Sequence, residues 1–291
     1  MPLERNLILA PLRGVTIRCF RRIAASELAA AHFTEAFTPF ITANPGVNPL
    51  KDRELRGETA APQGAPQLHL TPQFIGKNPS ALRECLHRIK DAGFTTADLN
   101  CGCPFPMVRN KGRGSGLLRT PDILRSLLDV GCTEMGDKNF SIKTRLGIER
   151  PDEFAALLPS LNQYPLRFIT VHARTARQMY TGSCNWTAYN NLKKLTSIPL
   201  VPNGDLSLNT PGDHIMIGRA FIRSLGEKEN AADFIARYAA ASLEELTSPH
   251  AVLGRMKELL AYWQDLPRWK KVWHIAKLTH NLDDFLRATT L

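Results

Sequence analysis

Residues 98–118 read DLNCGCPFPMVRNKGRGSGLL, with Cys101 and Cys103 one residue apart. Two thiols at that spacing have four chemistries open to them: metal ligation, a redox pair, a proton donor or nucleophile, and packing. A structural zinc site takes four ligands. C-x-C supplies two, and no second cluster lies nearby in sequence, so the expected metal is none. A disulfide between them closes a small, strained ring. Cys101 is nearer the apolar run and reads as packing. Cys103 stands in the loop before Pro104, where a thiol that keeps its proton serves as a general acid. The KGRGSG run resembles a phosphate cradle but lacks the spacing and lysine of a P-loop. Its glycines are expected to give close approach and mobility beside a bulky substrate.

Further polar residues recur at the ends of apolar runs. They are Pro11-Leu12-Arg13-Gly14, Gln73, Asn100, Lys143 with Arg145, His172 with Arg174 and Thr175, Asn203-Gly204-Asp205, and Gly218-Arg219. The runs themselves cover 6–11, 36–41, 67–76, 95–102, 140–147, 167–174, 198–205 and 214–221. Helical segments separate most of them: 17–30, 79–92 with Asn78 as N-cap and proline first, 120–130, 151–158 and 186–195. Strand, helix, strand, repeated, predicts an α/β chain with a parallel sheet. Eight strands predict a (β/α)8 TIM barrel, whose site lies at the C-terminal ends of the strands. Two connections depart from this pattern. Residues 42–66 read as a proline- and glycine-rich loop with a short helix. Between NGDL and HIMIGR only SLNTPGD remains, which reduces the seventh crossover to a turn.

Glycines after strands 7 and 8 mark the recurrent phosphate site of such barrels, with Arg219 adding a charge-assisted bond. Lys143 and His172 point inward beside it. A buried lysine calls for an anionic or electron-rich partner, such as a reduced flavin ring.

The chain has 291 residues, 43% of them hydrophobic, and a formal charge of +10. No apolar run approaches the roughly 20 residues of a membrane span. The N-terminus, MPLERNLILAPL, lacks a cleavage signal, and the six cysteines show no paired framework. The expectation is a cytoplasmic monomer with no membrane contact. The excess of base points to a polyanionic partner, nucleic acid first. After residue 228 only helical spacing appears. This divides the chain into a barrel over 1–239 and a C-terminal all-helical domain over 240–291. Residues 250–291 hold seven Lys or Arg, four Asp or Glu, three His and three Trp. Basic helices with aromatics suit RNA, and a helical cap with a tryptophan core suits them equally.

The motifs LAPLRGVT, TPQFIG, DLNCGCP with VRNKGRGSGLL, IKTRLG, TVHARTARQMYTGSCNW, VPNGD and IMIGRA resemble the tRNA-dihydrouridine synthase family over residues 6–222. GRMKELLAYW is similar to the helical domain of its bacterial C-type subfamily. The resemblance implies FMN-dependent reduction of a tRNA uridine, with NADPH as electron donor. It implies that Pro11, Leu12, Arg13, Gln73, Lys143, His172, Asn203, Gly204, Asp205, Gly218 and Arg219 hold FMN. Cys103 matches the active-site cysteine that protonates C5 of uracil, and Asn100 and Arg145 contact the flipped-out uridine. Leu12 stands where the family usually has methionine, and Arg13 where it has a small or acidic residue. Other outcomes are an FMN barrel acting on a small molecule, and a non-catalytic RNA-binding protein on a decayed barrel.

Overall fold

A computed structural model describes residues 6–60 and 68–289. Outside them lie the start of the N-terminal run, the end of the 42–66 connection and Gln67, the first residue of the third predicted strand. The strands are β1 (Leu7–Leu9), β2 (Phe33–Phe37), β3 (Ile41–Thr42), β4 (His69–Thr71), β5 (Gln73–Ile75), β6 (Ala97–Cys101), β7 (Phe140–Gly147), β8 (Ile169–Thr175), β9 (Leu200–Asn203) and β10 (Ile215–Ile217). All pair in parallel, in the order β3-β5-β6-β7-β8-β9-β10-β1-β2-β4.

The ring closes through β4 and β5, which are one strand interrupted by Pro72. Proline has no N–H for the ladder. The first half pairs with β2 and the second with β6. Around the break, Gln73 N donates to Thr38 Oγ1 at 3.1 Å, and Asp98 N donates to the Pro72 carbonyl at 3.0 Å. Eight staves result, as the periodicity predicts. Alternation sends Ile8, Ala10, Phe37, Phe168, Val201 and Met216 into the lumen. Leu7 and Leu9 face the helical shell. The N-terminal end of the barrel is sealed by Arg167, which donates to both carboxylate oxygens of Glu35 at 2.6 and 3.1 Å.

The helices are α1 (Arg18–Ile23), α2 (Ala25–Ala30), α3 (Pro79–Asp91), α4 (Pro106–Arg109), α5 (Pro121–Met135), α6 (Leu158–Leu161), α7 (Trp186–Leu192), α8 (Arg219–Gly226), α9 (Ala231–Leu246), α10 (Pro249–Leu260), α11 (Pro267–Ala276) and α12 (Leu282–Thr289). Asn78 caps α3 by accepting from Ala81 N at 3.1 Å. The helix expected over 17–30 is two, meeting at Ala24, and no glycine or proline marks the break. The β9–β10 connection carries no helix.

The helical end starts before residue 240, which falls inside α9. It is built into the barrel's shell rather than set apart from it. Phe20 of α1 meets Phe234 and Tyr238 of α9 edge-on at 5.9 and 5.8 Å. The indole N–H groups of Trp263 and Trp269 donate to the carbonyls of Ile222 in the middle and Gly226 at the end of α8, both at 2.7 Å. A Cβ on Gly226 would come within 2.5 Å of the Trp263 ring, so only glycine admits the indole. Both indoles are fully buried, and truncating either costs about 3–5 kcal/mol.

Candidate active site

The strand ends open into a cavity of about 1650 Å³ that runs from the barrel mouth to α10. Pro11, Leu12, Arg13, Asn100, Cys103, Lys143, Arg145, His172, Asn203, Gly204, Asp205, Gly218 and Arg219 all line it. Gln73, also expected there, lies fully buried beneath the mouth.

A buried relay explains how Cys103 is held. The Asp98 carboxylate accepts from Ser141 Oγ at 2.7 Å and from Gln73 Nε2 at 2.8 Å. Gln73 Oε1 then accepts from Asn100 Nδ2 at 2.9 Å. Asn100 Oδ1 accepts from the main-chain N–H groups of Gly102 at 3.1 Å and Cys103 at 2.9 Å. Main-chain N–H groups only donate, so they fix Asn100 with its oxygen toward the loop and its amide nitrogen toward Gln73, which in turn fixes Gln73. From the other side, Ser115 N and Oγ both donate to the Cys103 carbonyl, at 3.1 and 2.9 Å. Gly114 has φ +57°, and a Cβ on it would lie 2.8 Å from that of Cys103. The glycine run therefore packs against the cysteine's own loop.

The two cysteines separate cleanly. Cys101 is fully buried in β6 and packs in the outer core. Cys103 is 8% exposed at the cavity wall. Burial pushes its thiol above the ordinary range, against the Phe105 N–H and the charges of Arg145, Arg13 and Lys143. The thiol is therefore neutral at pH 7 and carries a proton.

Lys143 reaches from β7 to Asn203 Oδ1 at 2.9 Å, and Asn203 Nδ2 donates to the Met216 carbonyl at 2.9 Å. Burial, followed by the charge of Arg145, pulls the lysine down to about 8, with Asp98 opposing. His172 is held well below its ordinary value by burial and then by Arg145, Lys143, Arg174 and Arg219. Its Nε2 lies 3.2 Å from Arg174 Nη1, which only donates, so Nε2 accepts and the proton sits on Nδ1.

Two of the expected residues hold other parts of the mouth. Arg145 donates from Nε to the Gly102 carbonyl at 3.0 Å, and from Nη1 to those of Thr175 and Met179 at 2.8 and 2.6 Å. It ties the cysteine loop to the loop after β8. Asp205 lines the cavity, and its carboxylate bridges Arg174 and Arg219. Burial favours its protonated form, but the Arg174 hydrogen bond and the charges of Arg174 and Arg219 prevail and hold it below its ordinary value.

Two residues of the site were not singled out from sequence. Asp98 lies two residues before Asn100 on the same strand face, so the period of two was the available signal. Burial raises it to about 7 against its hydrogen bonds from Ser141 and Gln73. The Tyr180 ring lies between the guanidinium groups of Arg145 at 5.3 Å and Arg219 at 5.2 Å. Its place over the mouth follows from a loop whose course no local pattern announces.

Comparison with known proteins decides the family. The model for "Dihydrouridine synthase (Dus)" matches residues 8–221. The chain belongs to the dihydrouridine synthase family. The match ends inside α8, so helices α9–α12 lie beyond it. Probable tRNA-dihydrouridine synthases are similar to this family member. One from Staphylococcus aureus (strain COL) is 29% identical over 202 residues, covering 69% of this chain and 59% of its own. One from Rhodobacter capsulatus is 30% identical over 210 residues, covering 70% and 61%. One from Helicobacter pylori (strain J99) is 29% identical over 242 residues, covering 76% and 68%. The aligned part is thus about three fifths of the length of the first relatives. Among solved structures, this dihydrouridine synthase family chain shares its fold with the old yellow enzyme from Trypanosoma cruzi. The TM-score there is 0.53 and the identity 10%, over 78% of this chain and 88% of that one. Morphinone reductase gives a TM-score of 0.51 at 12% identity, over 75% and 83%.

Proposed function

We propose that the protein is a flavin-dependent tRNA-dihydrouridine synthase that reduces the C5–C6 bond of a tRNA uridine with electrons from NADPH. The observation that carries this is Cys103 at the cavity wall, its loop pinned on both sides, in one cavity with Lys143, His172 and Arg219. The residues present fit FMN. Gly204 and Gly218 bring bare backbone to the cavity wall. The first turn of α8 has N–H groups without intrahelical partners, which suit a phosphate together with Arg219. Lys143 has only a neutral amide as hydrogen-bond partner, so its charge is available to the electron-rich edge of the ring. Gln73 keeps one N–H beyond the relay. Bound FMN supplies the hydride for C6 of uracil.

The chain's own residues do the rest. Cys103 holds the proton for C5, and the relay from Asp98 fixes the loop that aims it. Neutral His172 adds a hydrogen bond from Nδ1 without a competing charge. Arg145 and the remaining Asn100 N–H face the uracil edge. A uridine must leave its stack to reach this depth.

Arg255 is engaged with Ser242 and Glu245, and Lys257 donates to the Lys277 and Thr279 carbonyls. Lys270, Lys271 and Lys277 are exposed and free to meet phosphates. Two measurements test the reading: flavin absorbance of the gently purified chain, with FMN added back, and dihydrouridine mapping across total tRNA with and without the gene. The expected result is bound FMN and one or more positions lost with the gene. A chain that refuses FMN, or tRNA unchanged by the deletion, overturns it.

A further inference from the structure

Beside the mouth lies a second cavity of about 260 Å³. Arg13, Phe40, Arg53, Glu54, Met107 and Val108 line both spaces, so the two adjoin. Phe40 comes from the β2–β3 connection and Arg13 from the loop after β1. Met107 and Val108 belong to α4, four and five residues beyond Cys103. The Arg13 guanidinium lies over the Phe40 ring, 5.5 Å from its centroid. Met107 is 74% exposed at the rim, and neighbouring Phe105 is 46% exposed. Large apolar side chains held in water at a cavity edge mark a contact surface.

The charges around it are mostly positive. Lys77 and Lys111, each two residues from a wall residue, Ile75 and Arg113, are exposed. Arg113 is anchored through Nη2 to Asn44 at 2.8 Å, while its Nε is buried with no partner. Of the two acids in the wall, Glu54 is paired with Arg53, and Asp52 caps the Glu54 N–H. An aromatic face under a guanidinium, with flexible apolar and basic groups at the edge, suits a flat ring on an anionic tether. That combination is a nucleotide: aromatic and arginine faces stack on the base, and basic groups meet the phosphate.

We propose that this side cavity is a second nucleotide subsite, seating the base adjacent in the RNA to the uridine that enters the mouth. The inference rests on reading the mouth as a uridine site. The α4 segment would then lie between the two bases, so the segment that positions Cys103 also reads the neighbour. The nicotinamide dinucleotide carries the same chemistry and is the competing source.

The test uses the full chain loaded with FMN and an unmodified tRNA transcript, intact or with an abasic site 5′ or 3′ of the target. Phe40→Leu removes the stacking face and keeps bulk, and Phe40→Trp restores a ring. Phe40→Leu is expected to weaken transcript binding by about 5- to 150-fold, the worth of one stacked base. Phe40→Trp should recover it, and FMN content should not change. One abasic neighbour should weaken wild type by a similar factor and Phe40→Leu hardly at all. Unfolding midpoints of both variants guard against a folding defect. Phe40→Leu binding as tightly as wild type, or abasic losses equal in both proteins, overturns the proposal. A rise confined to the KM for NADPH also overturns it and gives the cavity to the dinucleotide. Because the cycle reads equilibrium binding, it stands apart from failure to form dihydrouridine, which would sink the proposed function instead.

Discussion

Replacing Cys103 by alanine removes one sulfur and leaves its scaffold in place. Asn100 still caps the loop from below, and Ser115 still holds the carbonyl from the far side. The fold and the FMN site should therefore survive. What disappears is the proton source, and a positioned acid is worth about 10²–10⁴-fold, or roughly 3–5 kcal/mol of barrier. The measurement is single-turnover reduction of a tRNA transcript by prereduced enzyme, with FMN affinity read in parallel. Cys101→Ala is the internal control. It leaves a void in the outer core, with a stability cost of order 1–2 kcal/mol, and should keep its rate within a few-fold. The pH profile gives a second arm. Burial holds the Cys103 thiol above its ordinary range, so the proton is present through neutrality and the rate should fall only on the alkaline side. A Cys103→Ala enzyme within three-fold of wild type would refute this assignment. So would equal losses at the two cysteines, or an activity that fades near pH 7.

Lys143→Met should weaken FMN by roughly 10- to 100-fold, the value of about 1.5–3 kcal/mol for a hydrogen bond to a charged group. Because Lys143 titrates near 8, wild-type affinity should decline as pH rises through that value, and the variant should not follow. Gly114→Ala must find room against Cys103 at φ +57°, so uridine reduction should fall while flavin content holds; unchanged turnover would contradict the packing. His172 is depressed in the fold, so the unfolded chain takes up its proton first and stability drops below about pH 6.5, by up to 1.36 kcal/mol per unit. Asp98, raised to about 7, works with the opposite sign and loses stability for the fold as pH rises from about 4 to 7. Urea midpoints at pH 5.5, 6.5 and 7.5 should show His172→Asn gaining on wild type toward acid and Asp98→Asn gaining toward base; parallel curves would reject both. Neutralising Lys270, Lys271 and Lys277 together should flatten the salt dependence of tRNA binding, and an unchanged slope would place the grip elsewhere.

The staves of the barrel were legible because burial on both faces writes short apolar runs, and polar residues at their ends stand out. The family motifs placed almost every expected residue at one mouth. Long-range partners were not legible. The pairing of Asp205 with Arg174 of β8 shows only in the folded chain, and only the folded ring brings Gln73 under Asn100. The Pro72 interruption looked like an ordinary strand interior, since its cost is removed by Thr38 from a neighbouring stave. The tryptophans of the tail were equally consistent with an RNA face or a core. Two of them, Trp263 and Trp269, prove to be core because the carbonyls they need lie on α8.

That last contact bears on how the protein is made. Helix α8 presents its first turn to the mouth and has its second half covered by indoles that follow it by about forty residues. On the ribosome the barrel strands are translated first, yet this helix stays open along one side until Trp263 and Trp269 emerge. Closing the shell of the barrel therefore waits for residues made after its last strand. A chain that stops short of Trp263 carries neither indole to cover α8. It would leave Ile222 and Leu225 in water beside an empty groove, a state that chaperones and proteases remove. The helices after α8 thus complete the barrel's shell as well as one wall of its cavity.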